Sequence, residues 1–207
     1  MYIVRRLKEI KGGLNCYAYL CKFLGEDVVV KICGQRNINK DIGELIFSDY
    51  IHVKSIFEKL GIKVPKTKKI CLDSESKADF IIIEEYCGVS LFEILYDPKV
   101  TLSDKVEYTK GCIKFIEKFP ENIAVDTNPG NFVVNDRKEI SFVDFMPPAQ
   151  WKYIRKKQIQ NQLKKIFPSM QSPNYRNKKD SYYMNKLRIK RLLFHCKKVC
   201  IGIDKLV

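Results

Sequence analysis

The chain has 207 residues, of which 45% are hydrophobic and 12% aromatic, so it is long enough for one core or two small lobes that share a cleft. No apolar run approaches the roughly 18 residues that cross a bilayer, and the N-terminus lacks the apolar segment of a secretory signal, which predicts a cytoplasmic protein without a transmembrane segment. The formal net charge of +14 points to an anionic partner.

Three β-strands are predicted in the first 33 residues, because apolar and polar side chains alternate there and glycines interrupt the pattern. The strands are expected at about residues 2–10, 16–23 and 27–33. The first turn contains Gly12 and Gly13, whose backbone amides can approach phosphate groups because glycine has no side chain. An ordinary tight turn is the alternative interpretation of this pair.

A lysine and a glutamate stand out in the elements that follow. Lys31 lies near the end of the third strand among apolar residues, which predicts a position on a half-exposed face. A helix is expected over residues 41–60, where apolar side chains recur at helical spacing, and Glu44 lies in its first turn. The helix dipole favours an acidic residue there. A pairing with Lys31 across the contact between sheet and helix is the other role predicted for Glu44.

A hinge between two lobes is predicted where an apolar strand, residues 79–86, is followed by Cys87 and Gly88. A short helix over residues 90–95 and a longer one over residues 103–119, capped by Ser103 and stopped by Pro120, are expected next. The sequence therefore predicts an N-lobe at residues 1–86 and a C-lobe at residues 87–207.

The polar loop that begins at Asp126 carries the strongest functional signal. It leads into two apolar segments, residues 132–134 and 140–143, which flank a polar turn and predict a β-hairpin. Asn131 and Asp144 are expected opposite each other at the open end, where two oxygen ligands side by side suit Mg²⁺. Asp126 can reach the same place. This is the arrangement of a phosphoryl-transfer site.

The positive charge is concentrated at the C-terminal end. Residues 1–150 contain 22 basic and 22 acidic side chains, whereas residues 151–207 contain 16 and 2. Two basic helices are expected there, over residues 151–167 and about 181–200. Such a block attracts polyanions through counterion release, so nucleic acid, an anionic membrane surface or a phosphorylated glycan are the predicted partners. A solvated basic face is the alternative.

The eight cysteines are scattered along the chain without a Cys-x-x-Cys pair. This pattern predicts reduced thiols and not a disulfide framework. Only three possible zinc ligands cluster, His195, Cys196 and Cys200. Because a structural zinc site needs four ligands, an ordinary helix is the favoured interpretation of that segment.

The order of these features resembles the protein-kinase-like superfamily: a strand lysine, a helix glutamate, a hinge, an Asp-x-x-x-x-Asn loop, a hairpin and an Asp-Phe pair. The resemblance covers residues 10–146. It implies an α+β, two-lobe fold with an antiparallel-sheet N-lobe and a mainly helical, reduced C-lobe. It also implies binding of ATP and Mg²⁺.

A role for each matching residue follows from the resemblance. Lys31 would hold the α- and β-phosphates of ATP and pair with Glu44. Asp126 would be the catalytic base, and Asn131 and Asp144 would bind Mg²⁺. The remaining nucleotide contacts would come from Gly12 and Gly13 over the phosphates and from the hinge backbone between Glu85 and Cys87, which would meet adenine.

Within that superfamily the chain is similar to sugar kinases, in particular the lipopolysaccharide core heptose kinases, and more distantly to aminoglycoside phosphotransferases and small tRNA-associated atypical kinases. The shared features are residues 60–65, 85–91 and 130–134 and the basic tail. The resemblance implies transfer of the γ-phosphate of ATP to a sugar hydroxyl on an anionic substrate, such as lipopolysaccharide core heptose, by a protein associated peripherally with the inner membrane surface. An RNA or an RNA-associated protein is the alternative acceptor.

The chain departs from the superfamily pattern at three places. Ala124 replaces the histidine that usually stands two residues before the catalytic aspartate, and Met146 replaces the glycine after Asp-Phe. Pro147 and Pro148 replace the start of an activation segment, which argues against a protein-substrate platform. A catalytically degenerate, kinase-fold binding protein is therefore a further alternative.

Overall fold

The structure of the chain, a computed structural model, describes residues 5–10, 16–33, 40–71, 80–120, 123, 125–145 and 185–197. The predictions for the Gly12–Gly13 turn, for Ala124 and Met146, and for a helix over residues 151–167 lie outside the described residues. Within that part of the chain, no helix is long and apolar enough to cross a membrane.

The described residues form a mixed α+β protein, as predicted. The elements are β1 (Arg5–Ile10), β2 (Cys16–Phe23), β3 (Glu26–Cys33), α1 (Lys40–Lys59), β4 (Thr67–Cys71), β5 (Phe80–Glu85), β6 (Val89–Ser90), α2 (Leu91–Tyr96), α3 (Leu102–Glu117), β7 (Phe132–Val134), β8 (Ile140–Phe142) and α4 (Asn185–Lys197). The division into two lobes of the protein-kinase type stays a prediction.

An antiparallel sheet of five strands, in the order β1-β2-β3-β5-β4, forms the N-terminal part. β2 turns into β3 through Leu24 and Gly25, whose φ angles of 53° and 84° are those of a tight hairpin turn. Lys31 of β3 pairs with Ile82 of β5, which is buried, so both side chains lie on the face of the sheet that packs against α1. The half-exposed position predicted for Lys31 is therefore wrong, because this face is covered.

The link from β5 to α2 depends on a glycine. Gly88 has a φ of 117°, and a Cβ placed on it would lie 2.1 Å from the carbonyl oxygen of Val134 in β7. Only glycine allows the chain to cross the hairpin this closely. β6 then pairs with β7 to give a second sheet in the order β6-β7-β8.

The predicted hairpin is present, but its register differs by one residue from the prediction. Phe132 pairs with Phe142, and the backbone N–H of Val143 donates to the carbonyl of Asn131 at 3.0 Å. Asn131 therefore lies opposite Val143 and not opposite Asp144. The reason is the turn: Asn135 is bonded to Glu139 across the three residues 136–138, and Lys138 closes this turn in a left-handed conformation (φ 61°), so each β7 residue meets a partner one position earlier in the sequence than predicted.

α2 and α3 begin at hydroxyl caps. Ser90 and Glu93 form a capping box at the start of α2, which lies one residue later than predicted. The cap of α3 is Thr101 and not the predicted Ser103. The hydroxyl of Thr101 accepts a hydrogen bond from the backbone N–H of Asp104. Both residues are plausible caps by type, and the hydrogen bond to the third helical residue decides between them.

One hydrophobic core extends from the sheet to α4. Its centre is a group of phenylalanines in which Phe57 of α1 contacts Phe142 and Phe145 at ring-centroid distances of 5.7 and 5.5 Å. Leu192 and Cys196 of α4 are fully buried in the same cluster. The described part of the basic tail, Asn185–Lys197, is therefore part of the folded unit.

Five cysteines whose side chains the structure describes are thiols and not disulfides, as predicted: Cys16, Cys21, Cys87, Cys112 and Cys196. No group of three or more His, Cys, Asp or Glu side chains that could hold a metal is found among the described residues. Cys200 lies outside them.

Candidate active site

A buried ion-pair network surrounds Lys31. Its Nζ lies 2.8 Å from Oε2 of Glu84, an ion-pair contact without the alignment of a hydrogen bond. Lys54 of α1 donates to Oε1 of the same carboxylate at 2.6 Å, and the hydroxyl of Tyr50 donates to it at 2.7 Å. The carboxylate of Glu84 therefore joins β3, β5 and α1 at one point.

The charges of this network stabilise one another. Burial works to raise the pKa of Glu84, but the positive charges of Lys31 and Lys54 outweigh it and hold the pKa below its usual value. Burial likewise works to lower the pKa of Lys31, and the charge of Glu84 outweighs it, so the pKa of Lys31 is raised. Both groups are thus charged at neutral pH.

Glu84 was not among the predicted site residues, although the sequence contains a signal for it. In an alternating strand, residue 84 lies on the same face as Phe80 and Ile82, and both of those are buried. A carboxylate on such a face requires a buried positive partner. The side chain of Glu44, the predicted partner of Lys31, lies outside the described part of the chain.

Lys31 also reaches the end of the hairpin. Its Nζ donates to the carbonyl oxygen of Val143 at 2.5 Å, and the negative charge of Asp144 contributes to the raised pKa of Lys31. The next residue, Phe145, is fully buried and packs edge-on against Tyr50 at 5.5 Å between ring centroids. The backbone around Asp144 is therefore held between the core and the strand lysine.

Asn131 and Asp144 lie side by side, as predicted, despite the shifted register. The amide Nδ2 of Asn131 lies 3.3 Å from Oδ2 of Asp144 and donates to the backbone carbonyl of Asp126 at 2.8 Å. Both side chains are half-buried. Since Asp144 follows the paired strand by two residues, its side chain curves back toward Asn131.

This donor set fits Mg²⁺. The ion is bound in proteins through one or two carboxylates or amide oxygens and fills its other positions with phosphate oxygens and water. Because Nδ2 of Asn131 donates to protein oxygens, the amide oxygen is oriented away from those contacts. Asn131 and Asp144 thus offer the ligand types that a magnesium–nucleotide complex needs.

The loop from Asp126 to Asn131 is held by its own side chains. A carboxylate oxygen of Asp126 accepts the backbone N–H of Asn128 at 3.0 Å, and the side-chain oxygen of Asn128 accepts the N–H of Gly130 at 3.0 Å. Pro129 starts a short 3₁₀ turn that leads into β7. These successive Asx turns fix the direction of the Asp126 side chain.

An arginine from α4 meets this carboxylate. Nε of Arg191 donates to Oδ1 of Asp126 at 2.6 Å and Nη2 donates to Oδ2 at 3.1 Å, which is a two-pronged ion pair. Arg191 belongs to the basic segment 151–207, for which only polyanion binding was predicted. It is separated from Asp126 by 65 residues, so no local pattern could relate the two.

The hinge carries the two remaining predicted residues that lie in the described chain. The backbone N–H of Glu85 donates to the carbonyl of Lys66 at 3.0 Å. Burial raises the pKa of the Cys87 thiol to about 12, and the neighbouring charge of Glu85 adds to the effect, so the thiol is neutral. Cys87 therefore occupies space in this segment as a neutral thiol and does not provide a reactive thiolate.

The chain matches no protein-family model, and no curated protein is significantly similar to it. A continuous series of contacts connects Lys31 through the Val143–Asp144 backbone to Asn131, and from there to Asp126.

Proposed function

We propose that this protein is an ATP- and Mg²⁺-dependent phosphotransferase that transfers the γ-phosphate to a hydroxyl group. The observation that supports it is the continuous contact series of Lys31, Asp144, Asn131 and Asp126, four residues from three separate segments of the sequence. A lysine, a magnesium-type ligand pair and a separate carboxylate that is not part of that pair are the parts that phosphoryl transfer requires.

In this proposal the residues act mainly by position and charge. Bound Mg²⁺-ATP supplies the reactive phosphoryl group, and Asn131 and Asp144 would hold the ion. Lys31 would neutralise the phosphates. Its ammonium group is fixed in advance by Glu84, so little reorganisation accompanies nucleotide binding.

Asp126 would orient the acceptor hydroxyl. The acceptor oxygen forms a bond to the γ-phosphorus while the bond from that phosphorus to the β-bridging oxygen breaks, and ADP leaves. The hydroxyl proton passes to the carboxylate of Asp126. A half-buried carboxylate held by the turn at Asn128 suits this task because its direction is fixed.

Substitution of the two aspartates tests the activity. We expect Asp126→Asn to lower kcat about 10²- to 10⁴-fold, since a positioned general base is lost. We expect Asp144→Asn to remove the Mg²⁺-dependent stabilisation of the protein by nucleotide, which a thermal-shift assay measures. Asp136→Asn in the exposed hairpin turn is the matched control and should behave like the wild type. ATP-dependent transfer that survives both active-site substitutions would refute the proposal.

The acceptor in this proposal is an anionic molecule, in the first instance a sugar of an anionic glycolipid, which the protein would meet at the inner membrane surface. The tail, residues 151–207, contains 16 basic and 2 acidic residues, and this positive charge supports the choice of an anionic acceptor. Radiolabel transfer from ATP, measured in parallel on lipopolysaccharide, tRNA and a generic protein, identifies the acceptor. Labelling of tRNA alone would favour the RNA alternative, and nucleotide binding without any transfer would favour a degenerate kinase fold.

A further inference from the structure

α4 delivers its arginine to Asp126 in a fixed orientation. Arg188, one turn earlier, is fully buried and donates to the backbone carbonyls of Pro120 and Ile123. Its own carbonyl accepts the hydroxyl of Thr127 at 2.7 Å. The helix is therefore attached to both sides of the loop that carries Asp126.

The pair of Arg191 and Asp126 is not an ordinary surface ion pair. The two side chains are only 18% and 20% exposed, and both nitrogens of the guanidinium fork contact a carboxylate oxygen. Such two-pronged pairs fix direction as well as distance, which a lysine cannot reproduce. Screening by water is correspondingly weak.

We propose that Arg191 is a positioning residue of the phosphotransfer site, an inference that rests on the proposed function. It holds the carboxylate of Asp126 toward the acceptor hydroxyl. It also places a positive charge beside a carboxylate that would otherwise repel the incoming phosphates. Because charge spreads over the transferred phosphoryl group in the transition state, a fixed cation at this position lowers the barrier.

The same contact has an opposite interpretation, in which Arg191 blocks Asp126 until α4 moves. The two interpretations predict opposite changes of kcat when Arg191 is removed. A positioning residue raises kcat, so its removal lowers activity, whereas a blocking residue lowers kcat, so its removal raises activity. The geometry favours positioning, because Arg188, Leu192 and Cys196 are fully buried and fix α4 to the core.

Kinetics of the full-length protein decide the matter, with Arg191→Ala and Arg191→Lys assayed against saturating Mg²⁺-ATP. We expect Arg191→Ala to lower kcat about 10²-fold and to raise the KM for ATP by a smaller factor, because the carboxylate of Asp126 then repels the phosphates. Arg191→Lys should recover only part of the loss, because the charge returns without the fork. Added methylguanidinium should restore activity to Arg191→Ala and not to Asp126→Asn.

Two further variants complete the experiment. Arg137→Ala, in the exposed hairpin turn, is the matched control and should match the wild type, whereas Arg188→Ala should lower the Tm. A wild-type kcat or a raised kcat in Arg191→Ala would overturn the inference while leaving the kinase activity in place. Absence of Asp126-dependent transfer in the wild type itself would overturn the proposed function. If Arg191→Ala does not fold, Arg191→Lys decides, and a wild-type kcat there would overturn the role of the fork.

Discussion

Glu84 illustrates how a single buried carboxylate can organise a site. It is 1% exposed and lies within ion-pair distance of both Lys31 and Lys54. Removing one member of a buried ion network leaves the others without compensation, which costs far more than a surface ion pair contributes. The stability of the sheet–helix contact should therefore depend on this residue.

Replacement of Glu84 by glutamine tests that dependence. We expect Glu84→Gln to lose about 3 to 5 kcal/mol of unfolding free energy, because two buried lysines lose their counter-charge, and the Tm to fall by roughly 10 °C. Differential scanning calorimetry is the measurement. Glu58→Gln, on the exposed side of α1, is the matched control and should leave the Tm unchanged.

The difference in Tm between the wild type and Glu84→Gln should depend on pH. The pKa of Glu84 is lower in the folded state than its ordinary value of 4.5, so its stabilising contribution is complete above pH 4.5. It is lost as the pH falls through the lowered pKa, because the folded protein must then take up a proton. The difference in Tm between wild type and Glu84→Gln should therefore shrink below pH 4.5, and a difference that grows there would contradict this account.

The sequence indicates the residues with local signatures and misses those whose partners are distant. Asp126, Asn131 and Asp144 share one loop and one hairpin, so their meeting follows from strand pairing. Glu84 and Arg191 were missed because their partners lie 53 and 65 residues away, a separation that periodicity does not encode. The pairing of β3 with β5 decides the first contact, and the packing of α4 against the Asp126 loop decides the second.

At the scale of elements, most strands and helices follow directly from the sequence. β2 matches its predicted bounds, and the limits of β3, β5 and α1 differ from theirs by one residue. The register of the hairpin is different, because it depends on Lys138 adopting a left-handed conformation that a lysine seldom adopts. The conformation of the turn, and not the hydrophobic pattern, therefore decides the one-residue difference in register.

The close crossing of the chain at Gly88 and β7 requires a residue without a side chain. We expect Gly88→Ala to destabilise the protein by more than about 3 kcal/mol, because a Cβ at a φ of 117° would clash with the backbone of β7, which cannot move without breaking the sheet. Chemical denaturation measures the loss. Gly61→Ala is the matched control: its φ of 68° is strained too, but a Cβ there meets open space, so about 1 kcal/mol is expected. Equal losses in the two variants would show that the close crossing is unimportant.

The whole molecule differs from the sequence-based picture mainly at its C-terminal end. Charge density alone predicted residues 151–207 to be a polyanion-binding block, but two basic residues of α4 point inward, Arg188 to backbone carbonyls and Arg191 to Asp126. Lys190 and Lys197 remain on the exposed side of the helix. Charge composition cannot separate inward from outward arginines, because that depends on which helix face packs.

Leu192 of α4 connects the hydrophobic core to the helix that carries Arg191. It is fully buried beside Arg191, so Leu192→Ala should cost about 2 to 5 kcal/mol and lower the Tm by roughly 5 to 15 °C. Because the same cavity loosens α4, kcat should also fall at temperatures where the variant is still folded. Phe194→Ala, at a position that is 54% exposed, is the matched control and should change neither quantity. Thermal denaturation and steady-state kinetics of the two variants, measured together, test whether the core and the catalytic loop are coupled through this helix. A Leu192→Ala variant with a lowered Tm and a wild-type kcat would show that they are not.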